Sequence, residues 1–275
     1  MGKKLFLKKK IITHSKLKFL TKIEIKLIII FFTFFSFSYS QHYTELLSKR
    51  IVDKPLGLIS EANCIYLNSE IFFPGGLLIE TYYGANDWFT FGLSFGGNNI
   101  VGYNKIYFNE YPGLYSIFEI FKETSTYPSI CLGFDTQGYG YYYDKYNRYQ
   151  ILPPGIFVTF SKFLDWNGKV IISFGINRSI NFFEKVDKYR KLNSYFAIQK
   201  NIGNWFLFDF EYDFAFNDNI DEYFGQSKGY LNLGITLRLF NDKNMNFKFN
   251  LKDLLRNSRI DGKNRTLGIS YFWSL

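Results

Sequence analysis

The feature that most limits how this chain can fold is a strict two-residue alternation that recurs from about residue 65 to the end. In "WFLFDFEYDF" (205–214), Phe206, Phe208, Phe210, Tyr212 and Phe214 share one face, and Asp209, Glu211 and Asp213 share the other. Side chains that alternate in this way belong to strands with one apolar and one polar face. The same pattern recurs in "WFTFGLSFG" (88–96), "SICLGFD" (129–135), "KVIISFGIN" (169–177), "GYLNLGITLRL" (229–239) and "NMNFKFNLK" (244–252). Weaker segments at 65–73, 76–83, 114–122, 155–162, 193–200 and 266–273 complete a set of twelve, and clusters of Gly, Asn, Asp and Pro separate them. Helical spacing is almost absent.

The connections alternate in length. Those at 97–113, 136–154, 178–192, 215–228 and 253–265 are long, and "GAND", "ETSTYP", "LDWNG", "NIGN" and "FNDK" are short; only the first hairpin, at Pro74 and Gly75, is short where a long loop is due. An up-and-down meander of this kind gathers the long loops at one end and both termini at the other.

Two architectures fit: a soluble barrel or sandwich with an apolar interior, and a membrane barrel with apolar residues facing lipid. The polar faces favour the second. Twelve strands enclose a lumen too wide to pack with aromatic rings alone, whereas Asp209, Glu211 and Asp213, two strands from Lys248 and Lys252 with Arg238 between, suit a wet lumen in which opposite charges pair. The expectation is an all-β fold, a transmembrane up-and-down antiparallel barrel of about 12 strands over residues 65–275, with those six residues lining the lumen.

The first 40 residues hold nine Lys against Glu24, then the apolar run Leu27–Tyr39 and the small residues Ser38 and Ser40. This reads as a signal peptide over 1–40, followed by a periplasmic amino-terminal segment over 41–64. An uncleaved anchor is the alternative, but a run of 13 apolar residues falls short of the roughly 20 that a helix needs to span a bilayer. No Cys sits at the cut, so a lipid-anchored amino terminus is not expected. The leader also accounts for the net charge of +9, since the remaining 24 basic and 23 acidic residues nearly cancel. No nucleic-acid partner is therefore expected. The localisation read from these features is the outer membrane of a Gram-negative bacterium.

"TLGISYFW" (266–273) is similar to the carboxy-terminal signal of outer-membrane barrels, with Thr266, Gly268, Tyr271 and Trp273 at its key positions and Leu275 where Phe is usual. That resemblance implies recognition by the barrel-assembly machinery. The stretches "LGFDTQGYG" (132–140), "RYQ" (148–150), "GIFVTFSK" (155–162), "GYLNLGI" (229–235) and "KDLLRN" (252–257) resemble the YjbH-like group of outer-membrane barrels. The resemblance covers about residues 65–275 and implies a link to exopolysaccharide export; this chain is much shorter than the long members, and no functional residue carries over.

Chemistry is sparse. After the leader the only His is His42, ahead of the first strand, so a Ser/His site within the barrel is not available. Asp209, Glu211 and Asp213 share a face, which fits lumen lining better than carboxylate catalysis. Cys64 and Cys131 are the only cysteines, too far apart in sequence to predict a bridge, and no Cys/His cluster suggests a metal. We expect no enzyme activity and no cofactor. The tyrosine-rich "QGYGYYYDKYNRYQ" sets Tyr139, Tyr141, Tyr142 and Tyr143 in one loop; it reads as a glycan-contact surface or, with better support, as an aromatic girdle packed inward. The expected function is a narrow channel, or a membrane component of surface or exopolysaccharide export. The alternative is a structural barrel plugged by residues 41–64 or by an inward loop.

Overall fold

The computed structural model describes residues 49–103, 105–146, 148–166, 168–180, 191–203, 205–219, 223–238, 244–260 and 265–275. The signal peptide expected over 1–40 and His42 lie outside the described residues.

Twelve strands close into one antiparallel barrel: β1 (Cys64–Phe72), β2 (Gly76–Asn86), β3 (Phe89–Asn98), β5 (Gly113–Phe121), β6 (Ser129–Asp135), β9 (Gly155–Asp165), β10 (Lys169–Arg178), β11 (Leu192–Ile202), β12 (Phe206–Asp213), β13 (Tyr230–Arg238), β14 (Met245–Leu251) and β15 (Arg265–Ser274). Each pairs with its neighbours in chain order, and β15 returns to β1 with Cys64 opposite Ser274 and Phe72 opposite Thr266. These strands are the twelve the periodicity predicts, in the predicted order. Closure leaves no sheet edge, the condition for a sheet to stand in lipid. Three short strands lie in the long loops: β4 (Tyr107–Phe108), which extends the edge of β3, and the hairpin β7 (Tyr139–Tyr143) and β8 (Arg148–Ile151).

The face assignment follows the alternation. Phe91, Leu93 and Phe95 of β3, Leu132 of β6, Ile235 and Leu237 of β13, and Leu267, Ile269 and Tyr271 of β15 all lie exposed on the outside. Their polar neighbours, Thr90 and Ser94, Asp209 and Glu211, Thr266 and Ser270, are buried inside. Phe272 breaks the alternation because it points inward and packs with Tyr66, Tyr82, Tyr115 and Phe157 in an aromatic layer inside the wall. Two lysines, Lys162 and Lys200, have outward parity; Lys200 reaches the Trp166 ring at 5.4 Å, and Lys162 is buried. The β5–β6 turn covers Lys162, which pairs with Glu123 at 3.1 Å and donates to the carbonyls of Thr124 and Ser125.

The turns after β2, β5, β9 and β11 and the carboxy terminus share one end of the barrel; the long loops share the other with the short β1–β2 turn. All four tryptophans belong to the short-turn end: Trp88, Trp166 and Trp205 in the turns and Trp273 near the end of β15. A ring of Trp at one rim, above an apolar belt, marks a membrane–water interface.

Candidate functional site: the filled lumen

The chain enters β1 from inside the barrel. Residues 49–60, part of the segment expected to be periplasmic or, in the alternative, to plug the barrel, run through the lumen as a tight hairpin, in which Arg50 bridges Pro55, Ile51 N–H donates to Lys54 O and Leu56 N–H to Lys49 O. The reason is chemical complementarity. Its apolar side chains Ile51, Val52, Leu56 and Leu58 are buried against Ile171, Ala197 and Phe163 of the wall, and its polar atoms meet the wall's charges.

The hairpin tip docks on Glu211. The backbone N–H groups of Val52, Asp53 and Lys54 donate to its carboxylate at 3.1, 3.0 and 2.9 Å, and Asn232 Nδ2 adds a fourth bond at 2.8 Å. Hydrogen bonds to an ionised acceptor are about twice as strong as neutral ones. Beside this, Lys54 pairs with Asp213 at 2.8 Å, and Lys252 bridges Asp53 at 2.8 Å and Glu70 at 3.1 Å. Behind the tip, Arg50 reaches Asp135 at 2.8 Å and Glu80 at 3.1 Å, from two other strands. Lys248 pairs with Asp209 at 3.2 Å and also donates to the carbonyls of Arg50 and Ile51.

The remaining backbone of the segment is bonded to the wall as well. Tyr195 Oη donates to Pro55 O at 2.9 Å, Ser161 Oγ to Leu56 O at 2.8 Å, and Cys131 Sγ to Gly57 O at 3.2 Å, while Ser60 N–H donates to Thr90 Oγ1 at 2.8 Å. Gly57 is required where it stands. Its φ is +73°, and a Cβ there would lie 2.0 Å from Thr159 Oγ1. Both cysteines are buried and free.

Burial tunes the two lysines of the hairpin in opposite directions. Burial pulls the Lys49 ammonium down to about 7, while Leu58 O accepts from it at 3.3 Å. Burial acts on Lys54 in the same sense, but Asp213, with Glu211 and Asp218 behind it, outweighs that and holds Lys54 above its ordinary value.

Of the six residues predicted to line the lumen, Asp209, Glu211, Asp213 and Lys252 are inward and buried, and Lys248 and Arg238 have the same inward parity. Asp209 and Lys248 meet across β13. Gly234 lies between Asp209 and Asn250 in the register, and any side chain there would meet Asp209 Cβ at 3.1 Å. Glu211 and Asp213 meet the hairpin rather than the lysines of β14, so the lumen at these residues holds chain where the sequence reading places water. Sequence reasoning missed Arg50, Asp53, Lys54, Gly57, Glu70 and Glu80. Only the polar parity of Glu70 and Glu80 on their strands pointed to them.

A second closure sits at the long-loop end. The β7–β8 hairpin turns into the mouth, where Ile151 packs on Phe72 and Leu78. Buried Arg148 pairs with Asp218 at 2.7 Å and lies 3.9 Å over the Phe224 ring. Tyr143 and Tyr146 pack edge-on against Phe224 at 5.4 and 5.1 Å, and Tyr146 stacks on Tyr223. Tyr142 packs on Tyr149, and Tyr141, largely exposed, on Tyr143; Tyr139 pairs with Ile151 through the backbone. Between the two closures lies a cavity of about 60 Å³, lined by Asp53, Lys54, Gln150, Asp218 and Lys252 among others. A second, of about 20 Å³, lies behind Arg50. They are large enough for a few waters.

The proposed assembly signal lies on the closing strand. Tyr271 and Trp273 face outward with ring centroids 5.7 Å apart, opposite Leu67 and Ile65 of β1, and Thr266 and Gly268 face inward.

No protein-family model matches this sequence, and no curated protein matches it. Among solved structures, one described as "KdgM porin" is similar, with a TM-score of 0.47 and 8% identity, covering 76% of this chain and 98% of that one. The fold is an outer-membrane type of barrel: closed, antiparallel, apolar outside and polar within.

Proposed function

We propose that this protein is an outer-membrane channel held closed by its own amino-terminal segment. The observation that carries this reading is the docking of residues 52–54 on Glu211, because three backbone amides bonded to one buried carboxylate form a specific seat rather than incidental packing. The seat is made of hydrogen bonds and ion pairs, which can exchange with water, and it fills a lumen that twelve strands would otherwise leave wide enough for a narrow pore. Long loops then face the exterior and the tryptophan rim faces the periplasm, with the signal peptide removed on export and Thr266, Gly268, Tyr271 and Trp273 read by the assembly machinery. We assign it no catalytic role.

The same filled lumen favours a second reading, a permanently plugged barrel that serves as a membrane component of surface or exopolysaccharide export, as the YjbH-like resemblance implies. Planar-bilayer recording of the refolded mature chain separates the two. Brief, infrequent steps that become frequent in Glu211→Ala support the channel. A folded barrel silent in both forms rejects it and leaves the structural reading.

A further inference from the structure

The hairpin also carries the charges that balance the wall, and this fixes what the pore would pass without it. The inference rests on the closed-channel reading above. Four buried wall carboxylates have their cation or their principal donors on the hairpin: Glu80 and Asp135 share Arg50, Asp213 holds Lys54, and Glu211 holds the three tip amides. They come from three regions of the barrel, on β2, β6 and β12, so they face the lumen from different sides. The wall's own lysines are already committed to other wall carboxylates, Lys248 to Asp209 and Lys252 to Glu70. When the hairpin leaves it takes Asp53 from Lys252, but among the described residues Lys252 keeps Glu70 and Lys248 keeps Asp209, so neither lysine is left to offset the four.

We propose that the opened pore selects cations, and that its cargo is cationic or travels with a cation. A ring of carboxylates in a narrow, low-dielectric passage concentrates counter-ions of the opposite sign and repels anions, as in other acid-ringed pores. The hairpin acts in the closed state as a tethered cationic ligand of that ring: Arg50 and Lys54 occupy the positions that permeant cations would visit.

The test is the reversal potential in a KCl gradient across a planar bilayer, measured on the full mature chain carrying Gly57→Val. This substitution places a side chain against Thr159 in a left-handed backbone position and leaves every wall charge in place. A chain lacking residues 49–56 serves as the second opened form should the first not fold. The expected result is open steps with potassium favoured over chloride several-fold, and a shift of the reversal potential toward zero when Glu80→Gln and Asp135→Asn are added. Open steps with no preference, or with chloride favoured, overturn the cation assignment and leave the channel standing. Silence from both folded forms overturns the channel reading and this inference with it.

Discussion

The two closures of the barrel are built from different materials. Residues 49–60 are held by an ionised seat, with Glu211 on the tip amides and Arg50, Lys54 and Asp53 in ion pairs. The β7–β8 hairpin is held largely by rings, with Tyr143, Tyr146, Tyr223 and Phe224 packed together beside the ion pair Arg148–Asp218. Hydrogen bonds and ion pairs can be exchanged for bonds to water, and aromatic packing cannot. On the closed-channel reading the inner closure is the one that releases, and the outer one stays as part of the barrel mouth.

The substitution that separates them most is Glu211→Ala. It strands three buried amides at once and weakens hairpin seating by about 3 kcal/mol or more, roughly a hundredfold in the closed-to-open ratio. Open probability in bilayers should rise accordingly, while protease resistance of the β7–β8 hairpin stays unchanged. Arg148→Met should do the reverse. It leaves Asp218 buried without its cation, costs about 3 kcal/mol, and admits protease into residues 139–151 without raising open probability.

A third effect comes from pH. Seated Lys49 titrates at about 7, and in the released hairpin it returns to its ordinary value of 10.5. Between those values the released form binds more protons, so seating strengthens as pH rises from about 7 to about 10 and is flat below about 7. Open probability should fall across that window in the wild type, and Lys49→Met should remove the fall; hairpin proteolysis should not vary. The smallest change is on the lipid face. Phe91→Leu keeps an apolar side chain on the exterior and should alter stability by under about 0.5 kcal/mol, with no change in conductance.

The wall was legible in the sequence because its information is local. Phe206 to Phe214 alternate within one strand, the long and short connections alternate along the chain, and neither needs knowledge of a distant partner. Even the Asp209–Lys248 pair could be anticipated, since both residues fall on polar faces two strands apart. The hairpin was not legible in this way. "RIVDKPLGLIS" has no period to read, and its partners are remote: Val52 meets Glu211 across 159 positions and Arg50 meets Lys248 across 198. Its one local clue, an apolar and charged mixture ahead of the first strand, fits a loose periplasmic segment equally well. Phe272 is the intermediate case. It is an exception to the alternation of its strand, and the structure supplies the reason: it packs on the aromatic layer around Tyr66 and Tyr82.

The most direct test of residues 49–60 as the closure is amide hydrogen exchange on the detergent-solubilised chain. The account predicts that a peptide covering 49–60 exchanges as slowly as one from strand β12, and that Glu211→Ala speeds the first by at least tenfold while leaving the second unchanged. Exchange of 49–60 within seconds in the wild type, at the rate of an exposed loop, would contradict it.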